Sequence, residues 1–298
     1  MNHFGDRLVG VVEQKHSRLV VGLDPHWHLI PESFRQKRKG DIYTVIVDYM
    51  TGVVDATYPF AAAFKPQLAF FERFGPRGME ALQAVIQVVK KHDGIVIMDG
   101  KRNDIGSTAE AYASAYLQDS EFETPYPSDA ITLNALLGSD SIHPFIQHQQ
   151  HGVFVLVKTS NKHSGEFQDL MLSSGETLSD RLAKAVEAWT EPLRGASGYG
   201  TVGAVVGATY PRHMARLRKL MPHSWILVPG YGAQGGSLDA VRAAFNKDGL
   251  GALVSSSRAI CFPHPDADFA EVRDAAKDAC SEINRLCLPI KSQNLPRP

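Results

Sequence analysis

The pattern Asp99-x-Lys101-x-x-Asp104 sets a carboxylate on either side of one lysine within a single short stretch. Nearby opposite charges favour the ammonium form, so a lysine flanked in this way is held protonated and can serve as an acid. The flanking residues say where the group sits. Ile95, Val96, Ile97 and Met98 form an unbroken apolar run of strand length just before it. After it, Ser107 with Glu110 makes a capping-box pattern, and residues 109–117 carry apolar side chains along one helical face. The spacing predicts strand, charged loop, helix. That puts three ionisable groups at the carboxyl end of a buried strand, where α/β proteins keep their chemistry. A surface ion pair on a loop produces the same spacing, so the rest of the chain has to decide between the two readings.

Residues 4–16 read as an opening helix and Leu19-Val20-Val21-Gly22-Leu23-Asp24-Pro25 as a first strand ending in an aspartate. A polar, proline-broken loop over 25–40 leads to a helix over 42–58, stopped by Pro59. Residues 60–66 make a second strand ending at Lys65, residues 78–92 its helix, and residues 94–99 the third strand. Further strands are expected at 129–134, 152–158, 202–207, 225–230 and 251–255, with helices at 139–148, 177–193, 212–221, 237–245 and 268–286. Residues 162–174 have weak periodicity and read as a long loop, a candidate lid. The strands are continuously apolar rather than alternating, the mark of a parallel sheet buried on both faces. Eight such strand–helix pairs, plus one helix ahead of them, fit an α/β fold of the (β/α)8 TIM-barrel type, in which about 250 residues suffice. One domain over residues 1–298 is expected. An open doubly wound sheet is the other arrangement, weakened because no G-x-G-x-x-G follows the first strand.

Composition narrows the function classes. With 298 residues, 44% hydrophobic and 21% charged, the chain can bury a large core. A formal net charge of -1 supplies no basic field for non-specific nucleic-acid binding. No window approaches the ~18 apolar residues of a membrane span. The first residues lack an uninterrupted apolar segment with a cleavage site, so a cytoplasmic location is expected. Cys261, Cys280 and Cys287 share no metal-ligand spacing and read as reduced thiols. The His26-Trp27-His28 pair reads as a polar loop, and no metal is expected.

Closing the strands into a barrel brings their ends to one mouth, making neighbours of Asp24, Lys65, Asp99, Lys101, Asp104, Ser160, Pro229-Gly230 and Arg258. The last two strand ends carry a second signal in Pro229-Gly230-Tyr231-Gly232-Ala233-Gln234-Gly235-Gly236 and Ser255-Ser256-Ser257-Arg258. Glycines let backbone N–H groups approach an anion, Gln234 offers an amide, and Arg258 a guanidinium fork matched to phosphate oxygens. A flexible turn and a surface ion pair would account for the same residues one by one; together, at this place in a barrel, they point to a phosphate site.

These residues, taken in order, resemble the orotidine 5'-phosphate decarboxylase family, in its longer bacterial-type branch. The resemblance runs from the Leu19–Pro25 run through Phe64-Lys65-Pro66, Asp99-x-Lys101-x-x-Asp104-Ile105-x-x-Thr108, Thr159-Ser160-Asn161 and the glycine-rich segment to Ser257-Arg258-Ala259-Ile260. It implies a cofactor-free conversion of orotidine 5'-monophosphate (OMP) to uridine 5'-monophosphate (UMP). By resemblance, Lys101 is the proton donor to C6, Asp99 faces the departing carboxylate, and Lys65 joins the charge network. Asp24 contacts the ribose, Ser160 the pyrimidine, and Gln234, Gly235 and Arg258 the phosphate with Pro229 and Gly230. Asp104 and Thr108 match positions that reach into the partner subunit's site, which implies a homodimer. Two alternatives stay open: a Mg2+-dependent sugar-phosphate decarboxylase or lyase of the same superfamily, disfavoured by Lys65 where an acidic residue is needed, and a non-catalytic phosphonucleotide-binding barrel.

Overall fold

The computed structural model describes residues 3–118, 121–230 and 237–287. Eight strands, β1 (Leu19–Leu23), β2 (Ala63–Pro66), β3 (Ile95–Arg102), β4 (Ala130–Leu133), β5 (Gly152–Lys158), β6 (Val202–Val206), β7 (Ile226–Val228) and β8 (Ala252–Ser256), pair in sequence order. All pairs are parallel, and β1 closes on β8 through Leu19–Val254, Val20–Ser255 and Val21–Ser256. The sheet is a closed (β/α)8 barrel, as the buried-strand pattern predicts.

Strand periodicity explains the layering. Side chains alternate across a strand, and in β3 Val96 and Met98 join the large core beneath the helices while Ile95 and Ile97 join a second cluster inside the barrel. The same parity gives Val20, Ala63, Ala130 and Leu253 to the inner cluster. Continued toward the carboxyl ends, it gives Lys65, Asp99 and Thr132 the inward positions. The barrel is apolar in its lower layers and polar only at the mouth.

The opening helix, Phe4–Lys15, plugs the other end. Phe4, Leu8, Val9 and Val12 belong to the inner cluster, and Phe4 meets Phe154 edge-on at 6.3 Å. Asp129, on the turn before β4, locks this plug: its carboxylate takes Arg7 at 2.5 Å, the Val96 N–H at 2.7 Å, and Lys90. Burial would raise the Asp129 carboxyl, but Lys90 and Arg7 outweigh it and hold it below its ordinary value. A carboxylate depressed in the folded state stabilises above its unfolded pKa of ~3.9, and that contribution is lost as pH falls through the folded value. Asp129→Ala strands two cations and a buried N–H, and is expected to cost about 3–5 kcal/mol in urea unfolding, with turnover of the folded fraction unchanged.

Several boundaries differ from expectation. The helix expected over 139–148 is replaced by two 3-10 turns, Ser139–Ser141 and His143–Phe145, because Pro144 lacks an N–H and clashes with the preceding turn. The 25–40 loop contains a helix, Glu32–Lys37, and the 162–174 loop contains Gly165–Gln168 with a bridge from Met171 to Thr177. Short helices Leu68–Glu72 and Arg258–Cys261 follow β2 and β8. The Ser107–Glu110 capping box is not formed. The helix starts at Gly106, with Ile105 as its flanking residue and no side-chain cap, and Gly106 takes φ +52°. Among the described residues, no helix is long and apolar enough to cross a membrane.

Candidate active site

β3 runs three residues beyond the expected strand, because its register shifts between Met98 and Arg102 before pairing resumes at Arg102–Leu133. Such a bulge re-aims a side chain at a barrel rim. Within it Lys101 adopts φ 48°, a left-handed conformation that costs a non-glycine residue energy and persists where the surroundings enforce it. Here the Lys101 N–H donates to Thr132 Oγ1 at 2.9 Å, and Thr132 Oγ1 donates to Asp99 Oδ1 at 2.9 Å.

Asp99 is the hub. Lys65 Nζ meets its Oδ2 at 2.8 Å and Lys101 Nζ its Oδ1 at 2.6 Å. The Lys65 side chain is 9% exposed and Asp99 11%, while Lys101 is 45% exposed. Two members of the chain are thus built into the wall and the third projects into open space. Burial alone would raise the Asp99 carboxyl; Lys65 and then Lys101 overcome it and hold Asp99 well below the usual carboxylate range. Burial pulls Lys65 down, and Asp99, helped by Asp24, reverses this, so Lys65 titrates above an ordinary lysine. The result is a fixed alternation of charge, cation–anion–cation, at the inward face of β2 and β3.

Two adjoining cavities meet at this chain. One, about 260 Å3, is bordered by Lys101, Thr132, Leu156, Thr159, Ser160 and Asn161; the other, about 330 Å3, by Asp24, His26, Gln67, Phe70, Ser257 and Arg258. Lys65, Asp99, Pro229 and Gly230 border both. Ser257 Oγ donates to Asp24 Oδ2 at 2.5 Å, leaving Asp24 Oδ1 buried without a partner among the described residues. Gly22 permits that contact, since a Cβ there would lie 2.6 Å from Ser257 Cβ. Gly230 takes φ 84°, turning the chain after β7 over the junction of the two cavities.

The structure therefore brings Asp24, Lys65, Asp99, Lys101, Ser160, Pro229, Gly230 and Arg258 together. Gln234 and Gly235 lie outside the described residues. Asp104 and Thr108 border neither cavity: the Asp104 carboxylate accepts from the Ile105 N–H at 2.9 Å, and Thr108 is exposed in the first turn of Gly106–Tyr116. The expectation of two carboxylates on Lys101 is corrected accordingly, since within one chain the carboxylate that reaches Lys101 is Asp99.

Sequence reasoning missed Thr132, His26, Gln67 and Phe70. Thr132 had a readable signal, a hydroxyl at an inward position of an otherwise apolar strand. His26 lies in a loop, and Gln67 and Phe70 cap and form the short helix Leu68–Glu72, too brief for a period to show in the sequence. His26 packs against Phe70 with ring centroids 4.2 Å apart and the rings tilted by 56°, and burial, with Arg258 and Arg73, lowers its pKa against the pull of Asp24.

The model of the family described as "Orotidine 5'-phosphate decarboxylase / HUMPS family" matches residues 17–266. The chain belongs to this family. Among curated relatives, the orotidine 5'-phosphate decarboxylase of Rhodopirellula baltica is 45% identical over 282 residues, covering 92% of this chain and 93% of the relative. That of Caldicellulosiruptor bescii is 38% identical over 282 residues, covering 89% and 91%. The solved structure of Leishmania donovani OMP decarboxylase superposes with a TM-score of 0.77 at 35% identity, covering 96% of this chain and 98% of that one. For a member of the orotidine 5'-phosphate decarboxylase family, the matched region begins just ahead of β1 and ends beyond Arg258, so every strand end that borders the cavities falls inside it.

Proposed function

We propose that the chain converts OMP to UMP and CO2, the last step of de novo UMP synthesis, with Lys101 as the proton donor to C6. The observation that carries the assignment of roles is the Lys65–Asp99–Lys101 ion chain, whose ionised carboxylate is fixed between two cations beside a cavity of about 260 Å3. Breaking the C6–CO2 bond leaves its electron pair at C6, in an orbital the ring delocalises poorly. A cation fixed at that point lowers the barrier as charge develops, and its N–H then supplies the proton that completes UMP. Asp99 orients Lys101 and faces the departing carboxylate. Lys65 neutralises Asp99 from behind and keeps it ionised.

The remaining roles follow the two cavities. Ser160 contacts the pyrimidine, Asp24 the ribose, and Arg258, with Pro229, Gly230, Gln234 and Gly235, the phosphate. Binding energy from phosphate and ribose, remote from C6, holds the ring against the charge chain. This chemistry calls on no cofactor and no metal. Lys65 in a salt bridge to Asp99, at the position where the Mg2+-dependent members need an acidic residue, disfavours the lyase alternative.

The chain is proposed to act as a single (β/α)8 domain in a cytoplasmic homodimer, with Asp104 and Thr108 reaching the partner's site. That neither residue borders the chain's own two cavities supports this. Mixing inactive Lys101→Ala with inactive Asp104→Ala is then expected to restore part of the activity, since one hybrid site carries both native residues. Absence of recovery after verified subunit exchange would rule out Asp104 acting across the interface. Stoichiometric release of CO2 and UMP from OMP tests the reaction itself.

A further inference from the structure

Lys158, the last residue of β5, is 2% exposed, an unusual position for a lysine that borders neither cavity. Its ammonium donates to both carboxylate oxygens of Asp169, each at 2.8 Å. Asp169 closes the short helix Gly165–Gln168 within the long loop after β5. Next to this pair, the Thr159 N–H donates to Gln168 Oε1 at 2.9 Å, Gln168 Nε2 donates to Thr159 Oγ1 at 3.0 Å, and Thr159 Oγ1 bonds Asn161 Oδ1 at 2.6 Å. The far end of the loop is thus fastened back onto its root. From the other side, the Gly207 N–H donates to Lys158 O at 2.8 Å, and a Cβ at Gly207 would lie 2.8 Å from Ser160 N, so the backbone just after β6 packs directly against Ser160.

Thr159, Ser160 and Asn161, the residues confined between these fastenings, form one wall of the cavity into which Lys101 projects. We infer that Lys158 and Asp169 are positioning residues, whose ion pair sets the wall that presses the pyrimidine ring toward Lys101. The inference rests on the decarboxylase reading. Lys158 is buried and Asp169 half-buried, so moving the carboxylate away strands the ammonium, and misplacing a wall by about 1 Å can cost about 100-fold in turnover. The segment read as a candidate lid is anchored at its root by this pair.

The wall faces the ring and not the phosphate, which separates positioning from general damage to the fold. Asp169→Asn, and the neutral pair Lys158→Gln with Asp169→Asn that strands no charge, are compared with the wild type by titration calorimetry with UMP and with ribose 5-phosphate, alongside kcat and KM. In both variants UMP affinity is expected to fall about tenfold and kcat further, with ribose 5-phosphate affinity kept within about twofold. Unchanged UMP affinity and kcat, or an equal loss for both ligands, would overturn the positioning role. A wild type that binds ribose 5-phosphate but gains nothing from the pyrimidine of UMP would overturn the decarboxylase reading as well.

Discussion

Lys101→Ala is expected to lower kcat by about 1,000-fold or more while leaving UMP binding measurable. The size of the effect follows from two losses at once. The alanine removes the cation that stabilises the electron pair at C6, and it removes the N–H that ends the reaction. The fold should tolerate the change, because the Lys101 side chain is 45% exposed and Asp99 keeps Lys65 at 2.8 Å and the Thr132 hydroxyl at 2.9 Å. Single-turnover kinetics together with calorimetric UMP titration measure the two sides. Near-normal turnover in a folded variant would remove Lys101 from the chemistry.

The second large effect is at Asp99, where stability and catalysis fall together. Asp99→Ala leaves Lys65 buried against its own charge, and a stranded buried ion typically costs about 3–5 kcal/mol. Urea unfolding of Asp99→Ala is expected to show a loss of that order, and turnover is expected to fall along with it, since Lys101 loses its 2.6 Å anchor. Asp99→Asn keeps the size and some of the hydrogen bonding, so it separates the terms. A selective gain in its affinity for OMP over UMP is the signature of ground-state repulsion between Asp99 and the substrate carboxylate. The pH dependence has a definite sign. Because the folded Asp99 carboxyl lies below its unfolded value of ~3.9, its stabilisation is complete above that pH and disappears as pH falls through the folded value. Lys65, raised in the fold, stabilises fully below its unfolded pKa of ~10.4 and loses that contribution as pH rises through its folded value. The Lys65–Asp99 pair is therefore intact throughout the neutral range, and neither group sets a limb of the pH–rate profile there.

What the sequence made legible was whatever repeats with the backbone. Buried strands show as unbroken apolar runs, and the eight of them are the eight staves of the barrel. Because the strand ends of a barrel converge, Lys65, Asp99 and Lys101 could be set at one mouth from their position at or just beyond strand ends. Features that depend on a single local competition were less readable. Pro144 broke a helix whose apolar pattern was otherwise adequate, and Gly106 took the helix start that the spacing of Ser107 and Glu110 predicts later in the chain. Contacts between distant loops left no local trace. Nothing within the 162–174 segment indicates that Asp169 returns to Lys158, and nothing near Pro25 indicates that His26 packs against Phe70. Asp104 shows a further limit. Its spacing from Lys101 suggested a direct pair, but with two extra residues in the β3 bulge and the turn at Gly106 after it, Asp104 borders neither cavity.

The most direct test is the ultraviolet absorbance of OMP after addition of the purified wild-type protein in the presence of EDTA. A fall in absorbance with UMP as product, undiminished by the chelator, is the predicted result. A folded protein that binds UMP yet leaves OMP unchanged, or one whose activity disappears with EDTA and returns with Mg2+, would contradict decarboxylation driven by the Lys65–Asp99–Lys101 chain alone.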